Sequence, residues 1–175
     1  MSTRLSQKLT PLSKLAHICD VCKKIKKEGN TVGLVTGKFD ILHPGHLDLL
    51  EYAKKKVDVL IVGIDNDKTI EISKNKKPLF NQKQRSRMLS ELVLTDFLFV
   101  VKDEFKYDTH KANNAHTKIL NSLKPSVVIT NNACDGHYTR RKDLLKELNI
   151  NLLTQRKGKI YSSSKIAKDL TPLKF

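Results

Sequence analysis

Five short apolar runs rich in β-branched residues punctuate the chain: Thr31–Thr36 (TVGLVT), Val57–Ile64 (VDVLIVGI), Phe97–Val101 (FLFVV), Val127–Thr130 (VVIT) and Ile150–Leu153 (INLL). Their hydrophobicity is near-continuous rather than alternating. That pattern predicts strands buried on both faces, as in a parallel sheet. The segments between them carry apolar residues at helical spacing. Leu12–Lys27 sets Leu12, Leu15, Ala16, Ile18, Cys19, Cys22 and Ile25 along one stripe. His46–Lys56 does the same with Leu49, Leu50 and Ala53, and Asn81–Val93 with Met88, Leu89 and Leu92. Further helices are predicted over His110–Leu123, Thr139–Leu148 and Ser163–Leu170. Gly29 is placed to close the first helix in the left-handed conformation, and Pro125 to start the connection into the fourth strand. Strand and helix thus alternate from residue 31 onward. Such alternation predicts an α/β fold: a doubly wound parallel five-stranded sheet with helices on both faces and right-handed crossovers. No internal repeat or domain boundary is visible. Residues 1–10 read as a loose polar arm and 11–175 as a single domain. In open sheets of this kind ligands sit beyond the carboxyl ends of the strands, so chemistry is sought there.

Charge narrows the partner classes. The 175 residues hold 33 Lys+Arg against 18 Asp+Glu, a formal net charge of +15. An anionic partner is expected: nucleic acid, a membrane surface or phosphate-bearing small molecules. Apolar residues make up 39 % and aromatics 6 %, with no Trp, which is lean, but their clustering in runs argues against disorder. No stretch approaches the ~20 apolar residues of a membrane span. Met1–Thr10 has no apolar core of a secretory signal, and three cysteines do not make a disulfide framework, so a reducing cytoplasm is the expected location. Cys19-Asp-Val-Cys22 lies mid-helix on the apolar stripe and reads as a pair of buried structural thiols. His110, His116 and His137 read as surface histidines. A nucleic-acid-binding α/β module could use the charge. The few aromatics, however, lie in apolar runs rather than among Lys and Arg, so nucleic acid is not the expected partner.

The most informative segment follows the first strand: Gly37-Lys-Phe-Asp-Ile-Leu-His43-Pro-Gly-His46. Pro44-Gly45 makes a turn and His46 opens the next helix. His43 and His46, three residues apart, can place both imidazoles in one concavity at a helix N-terminus, where backbone N–H groups and the helix dipole favour an anion. Each imidazole can donate N–H bonds to a polyphosphate. A metal site and a purely structural helix cap are the alternatives. No Cys or third His lies nearby to complete a zinc set.

The run Gly-x-Phe-Asp-x-x-His-x-Gly-His resembles the signature of the cytidylyltransferase-like nucleotidyltransferase superfamily, with every fixed position met. The resemblance continues through Lys-Lys-Glu-Gly before the first strand, the Ile61–Asp67 strand end, Lys77-Pro78, Gln84-Arg85 with Met88-Leu89, and Tyr161-Ser-Ser-Ser-Lys-Ile166. The pattern is most similar to adenylyltransferase domains acting on heptose 1-phosphate. Glycerol-3-phosphate cytidylyltransferase and the archaeal FAD synthetase type are near relatives. The resemblance implies a Rossmann-like fold and transfer of NMP from an NTP, ATP favoured, to a sugar or polyol phosphate with release of pyrophosphate. A CTP-dependent cytidylyltransferase for glycerol 3-phosphate is the alternative. It also implies Mg2+ accompanying the NTP, and is compatible with a homodimer.

By the same resemblance His43 and His46 contact the triphosphate and stabilise the five-coordinate α-phosphorus, with Gly37, Phe39 and Gly45 shaping the cradle. Lys38, inside the motif where relatives carry a small residue, either reaches a phosphate or points to solvent. Asp40 is expected to hold the loop by accepting backbone N–H bonds. Relatives carry a catalytic lysine where this chain has Lys74-Asn-Lys-Lys77, so Lys74 and Lys77 are both candidates. Arg85 is expected on phosphate, with a surface ion pair as the alternative. Ser162, Ser163 and Ser164 would cap the last helix and donate to β- or γ-phosphate. Arg156 resembles the arginine preceding that motif, at longer spacing. Asp67 and Asp135 are candidates for the acceptor. Asp135 lies in a loop, Thr130-Asn-Asn-Ala-Cys-Asp-Gly-His-Tyr138, that departs from the family's Lys-Gly-Gly-Asp-Tyr.

Overall fold

The computed structural model describes residues 15–133, 135–156, 158, 161, 163 and 166. The elements are α1 (Leu15–Lys27), β1 (Val32–Gly37), α2 (Pro44–Lys54), β2 (Val59–Asp65), α3 (Asp67–Lys74), α4 (Gln82–Ser90), β3 (Phe97–Val101), α5 (His110–Leu123), β4 (Val127–Asn131), α6 (Tyr138–Glu147) and β5 (Asn151–Gln155). All pairings are parallel and the order is β3-β2-β1-β4-β5. The chain therefore winds outward from β1 in one direction and from β4 in the other. The crevice between their carboxyl ends is the switch point of a doubly wound sheet.

The continuous apolar runs are explained by burial on both faces. Leu34, Ile61, Phe99 and Val128 pack against the stripe of α1 and the inner faces of α5 and α6. Val35, Leu60, Val62, Leu98 and Ile129 pack against Leu50 and Ala53 of α2 and Leu89 of α4 on the other face. Cys19 and Cys22 are free thiols inside the first of these clusters, and burial pushes the Cys22 pKa up to about 11. Gly29, at φ 82°, ends α1 in the left-handed region that a side chain would strain.

Boundaries differ from expectation where burial is partial. β5 is an edge strand, half-exposed along its length, so its apolar residues do not mark its ends. α2 begins at Pro44 rather than His46, because proline suits the first helical position and His43 takes the cap. The helix Asp67–Lys74 was not expected, since it buries only Thr69 and Ile70 and so carries little periodic signal. The polar arm, Leu12 and most of the segment 163–170 lie outside the described residues.

α3 is fastened to the segment after β3. Asn66 caps the helix through Thr69 N–H, and its Nδ2 reaches the carbonyls of Val101 (2.9 Å), Lys102 (3.3 Å) and Asp103 (3.0 Å). Tyr107 N–H donates to Ser73 Oγ at 3.4 Å. The two segments carry Lys74 and Tyr107, and so deliver both to the carboxyl end of the sheet. Among the described residues no helix is long and apolar enough to cross a membrane.

Candidate active site

The chain leaves β1 through a sharp turn in which Phe39 adopts φ 47° and buries its ring. His43 follows in extended conformation (φ −144°, ψ 164°) as the cap of α2, with no side-chain capping bond. Its ring stacks on that of His46, centroids 3.7 Å apart and planes at 15°, and Phe39 lies 4.9 Å beyond His46. A Cβ on Gly45 would sit 3.2 Å from His43 Nδ1, so glycine is what lets the backbone pass beneath the ring. Both Nδ1 atoms are buried without a hydrogen-bond partner. A buried polar atom left unpaired costs roughly 1–3 kcal/mol, and a ligand offering a partner would recover it. Burial pushes the His43 pKa down. His46 is driven to about 3, first by burial and then by the neighbouring His43 and Lys74.

Lys74, in the last turn of α3, is the lysine of its loop that the structure brings toward this pair. Its Nζ lies 3.2 Å from Asp40 Oδ2, while Asp40 Oδ1 accepts Leu79 N–H at 2.8 Å. Asp40 thus ties the motif turn to the α3–α4 loop. Lys77 is exposed and has no partner among the described residues. Ser163 Oγ donates to Ile41 O at 3.1 Å, placing that segment against the motif loop. Ser162 and Ser164 lie outside the described residues. Arg156 is exposed.

Arg85 sits differently from the phosphate contact expected of it. It is fully buried. Its Nε donates to Phe80 O (3.0 Å), Nη1 to Lys38 O (2.6 Å) and Nη2 to Asp67 Oδ1 (2.8 Å). The guanidinium is thereby spent as a brace joining the motif turn, the start of α3 and the loop before α4. Asp67, a candidate for the acceptor from sequence, gives Oδ1 to this brace while its side chain stays 37 % exposed.

A second polar cluster occupies the switch-point crevice between β1 and β4. Asp135 accepts from Arg141 Nε (2.7 Å), Thr130 Oγ1 (3.0 Å) and His137 N–H (3.1 Å). Burial works to raise its pKa, but the charge and hydrogen bonds of Arg141 outweigh that and hold it below the ordinary value. Arg141 Nη1 also donates to Thr36 Oγ1 at 3.0 Å. Tyr107 donates its hydroxyl to the buried Asp65 and stacks on His137 at 4.5 Å, and His137 Nδ1 is 2.7 Å from Asp108. Lys38 lays its ammonium over the Tyr107 ring, 4.3 Å from its centroid. Beneath lies a cavity of about 40 Å³ reaching Leu34, Ala112, His116 and Val128. A water needs roughly 10–15 Å³ by this measure, so the recess takes a few atoms and not a whole substrate. His116 and His137 are half-buried here, not surface histidines, because helix α5 and the segment 135–138 fold over the strand ends.

Residues 34–169 match the family model described as cytidylyltransferase-like. The chain belongs to the cytidylyltransferase-like family. Family membership and the parallel five-stranded sheet agree with the α/β fold expected from the sequence. The bifunctional protein HldE of Desulfatibacillum aliphaticivorans is 24 % identical over 164 residues, which are 93 % of this chain and 31 % of that protein. That of Rhodopseudomonas palustris (strain HaA2) is 32 % identical over 118 residues, 67 % of this chain and 21 % of the relative. The chain thus spans about a third or less of the length of these relatives. A lipopolysaccharide core biosynthesis protein from Thermoplasma volcanium superposes with TM-score 0.59 at 25 % identity, covering 77 % of this chain and all of that one. A pantoate-beta-alanine ligase from Francisella tularensis shares the fold at TM-score 0.63 and 18 % identity, covering 91 % of this chain and 76 % of that one.

In this cytidylyltransferase-like chain the histidine pair has a measurable consequence before any ligand is added. The folded state resists protonation of His46, while the unfolded chain takes up the proton near the ordinary value of 6.5. Below about pH 6.5 the unfolded state therefore binds more protons, and stability falls as pH drops toward the folded value. The urea midpoint is expected to decline from pH 6.8 to pH 5.2, above the range in which most carboxylates titrate, and to decline less in His46→Asn. Equal slopes for the two proteins would refute the assignment.

Proposed function

We propose that the chain transfers an adenylyl group from ATP to a sugar phosphate of the heptose 1-phosphate class, releasing pyrophosphate. The observation that carries this reading is the stacked His43–His46 pair, with two buried, unpaired Nδ1 atoms at the start of α2 and Lys74 alongside. Neutral imidazoles at a helix N-terminus suit a triphosphate. Its negative charge raises their proton affinity as it binds, so hydrogen-bonding and charge neutralisation grow together. The similarity to the HldE relatives supports this acceptor class.

In the proposed step an oxygen of the acceptor phosphate forms a bond to the α-phosphorus while the bond from that phosphorus to the bridging oxygen breaks. The electron pair leaves on pyrophosphate. No protein nucleophile is needed, so the contribution of the chain is positioning and electrostatic stabilisation. His43 and His46 would hold α- and β-phosphate oxygens, and Lys74, oriented by Asp40, would neutralise the charge that develops on the leaving group. No cluster of three or more His, Cys, Asp or Glu among the described residues could hold a metal ion. Mg2+ is assigned to the nucleotide, as part of the substrate, because a triphosphate needs its charge bridged.

A thermal-shift series with ATP, CTP, GTP and UTP, each with magnesium, tests the nucleotide half. A ligand at a hundred times its Kd stabilises by about 2.7 kcal/mol, which for a domain of this size raises Tm by roughly 5–10 °C. ATP is expected to give that shift and the others much less. A shift with CTP alone would replace adenylyl by cytidylyl transfer, and no shift with any nucleotide would refute the reading.

A further inference from the structure

The carboxylates of the switch-point crevice are each already satisfied: Asp65 by the Tyr107 hydroxyl, Asp108 by His137, and Asp135 by Arg141 and Thr130. Arg141 is committed to Asp135 and Thr36. Arg140 lies 3.8 Å from Asp108. Lys38 is placed otherwise. Its stem is half-buried, its ammonium rests on the Tyr107 ring, and its N–H donors have no acceptor among the described residues. The Tyr107 ring is held by stacking on His137 and at its hydroxyl by Asp65, so the seat is fixed. The Lys38 carbonyl is held by Arg85, which fixes the backbone from which the side chain departs. Burial pushes the Lys38 pKa down, Asp65 partly restores it, and Lys74 adds to the depression. A bound anion would reverse that cost. The two lysines divide the end of β1 between them: Lys74 is tied to Asp40 beside His46, while Lys38 turns to the Tyr107 side.

We propose that Lys38 receives the phosphate of the acceptor, a phosphate monoester entering over β1 and β4 on the Tyr107 side, and that it takes no part in holding the triphosphate. The proposal rests on the nucleotidyl-transfer reading above. A compact ammonium on a rigid aromatic seat suits a monoester dianion, which it would bring next to the α-phosphorus held by the histidines. The shallow apolar recess below admits only a few atoms, so the body of the acceptor would lie across the crevice mouth among Arg140, His137 and Tyr107.

The test is calorimetric titration of inorganic phosphate into protein saturated with a non-hydrolysable ATP analogue and magnesium. Wild type is expected to bind phosphate. Lys38→Met, which keeps the stem over Tyr107, should weaken phosphate at least tenfold and leave the affinity for the analogue within twofold. Lys38→Arg should retain most of the phosphate affinity. Phosphate binding that is absent in the loaded wild type, or unchanged in Lys38→Met, overturns the proposal while leaving nucleotidyl transfer standing. So does an equal loss of analogue affinity, which would put Lys38 on the triphosphate. Failure of the wild type to bind the analogue at all would sink the underlying reading, and the acceptor subsite with it.

Discussion

His46→Ala is expected to fold normally and to lose nucleotidyl transfer by about 100- to 1,000-fold. The magnitude is that of removing one donor from a preorganised, partly dehydrated anion site, about 2.7–4 kcal/mol of transition-state stabilisation. The effect on the fold is small because two terms oppose. Truncation removes the stack on His43 and the contact with Phe39, and it also removes a buried Nδ1 that has no partner. Steady-state kinetics should show the loss chiefly in kcat, with the urea midpoint within a few tenths molar of wild type. Transfer within threefold of wild type would remove His46 from the chemistry.

Arg85→Met is expected to act through stability. The guanidinium is wholly buried and bonds three separate segments. Methionine fills part of the volume but leaves the carbonyls of Phe80 and Lys38 without that donor, each costing roughly 1–3 kcal/mol. The loss should total at least about 2 kcal/mol, which for a domain of this size lowers Tm by roughly 4–8 °C or more. The turn it braces holds Phe39 at φ 47°, a conformation that persists only while its surroundings enforce it. Arg85→Lys should recover less than half of the loss, since a single ammonium cannot serve three acceptors in fixed directions. A melting temperature within 2 °C of wild type for Arg85→Met would show that the brace contributes little.

The fold was legible because burial on both faces leaves a local mark. Each strand run is apolar whatever face its residues point to, and β1, β2 and β3 lie where those runs lie. The paired histidines were legible for a similar reason: the whole motif is contiguous, so strand end, turn and helix start are read in one pass. What escaped the sequence is made of residues far apart in it. Tyr107 meets Asp65 across 42 positions and Arg141 meets Thr36 across 105, and no local pattern announces either. Arg85 carries a charge at the start of a helix, which reads as surface or as a ligand contact. Its burial follows from acceptors contributed by Lys38, Asp67 and Phe80. His137 reads as a solitary surface histidine until the 135–138 segment sets it on Tyr107. Asp135, a candidate for the acceptor from sequence, meets Arg141, Thr130 and a backbone N–H, partners that no local pattern announces.

The most direct measurement is 31P NMR of the protein incubated with ATP, magnesium and a heptose 1-phosphate. The expected result is equal growth of a pyrophosphate signal and of the paired signals of a new sugar-linked diphosphate, slowed about 100-fold or more in His46→Ala. Release of orthophosphate alone, or pyrophosphate that appears without the acceptor, would contradict nucleotidyl transfer to a sugar phosphate.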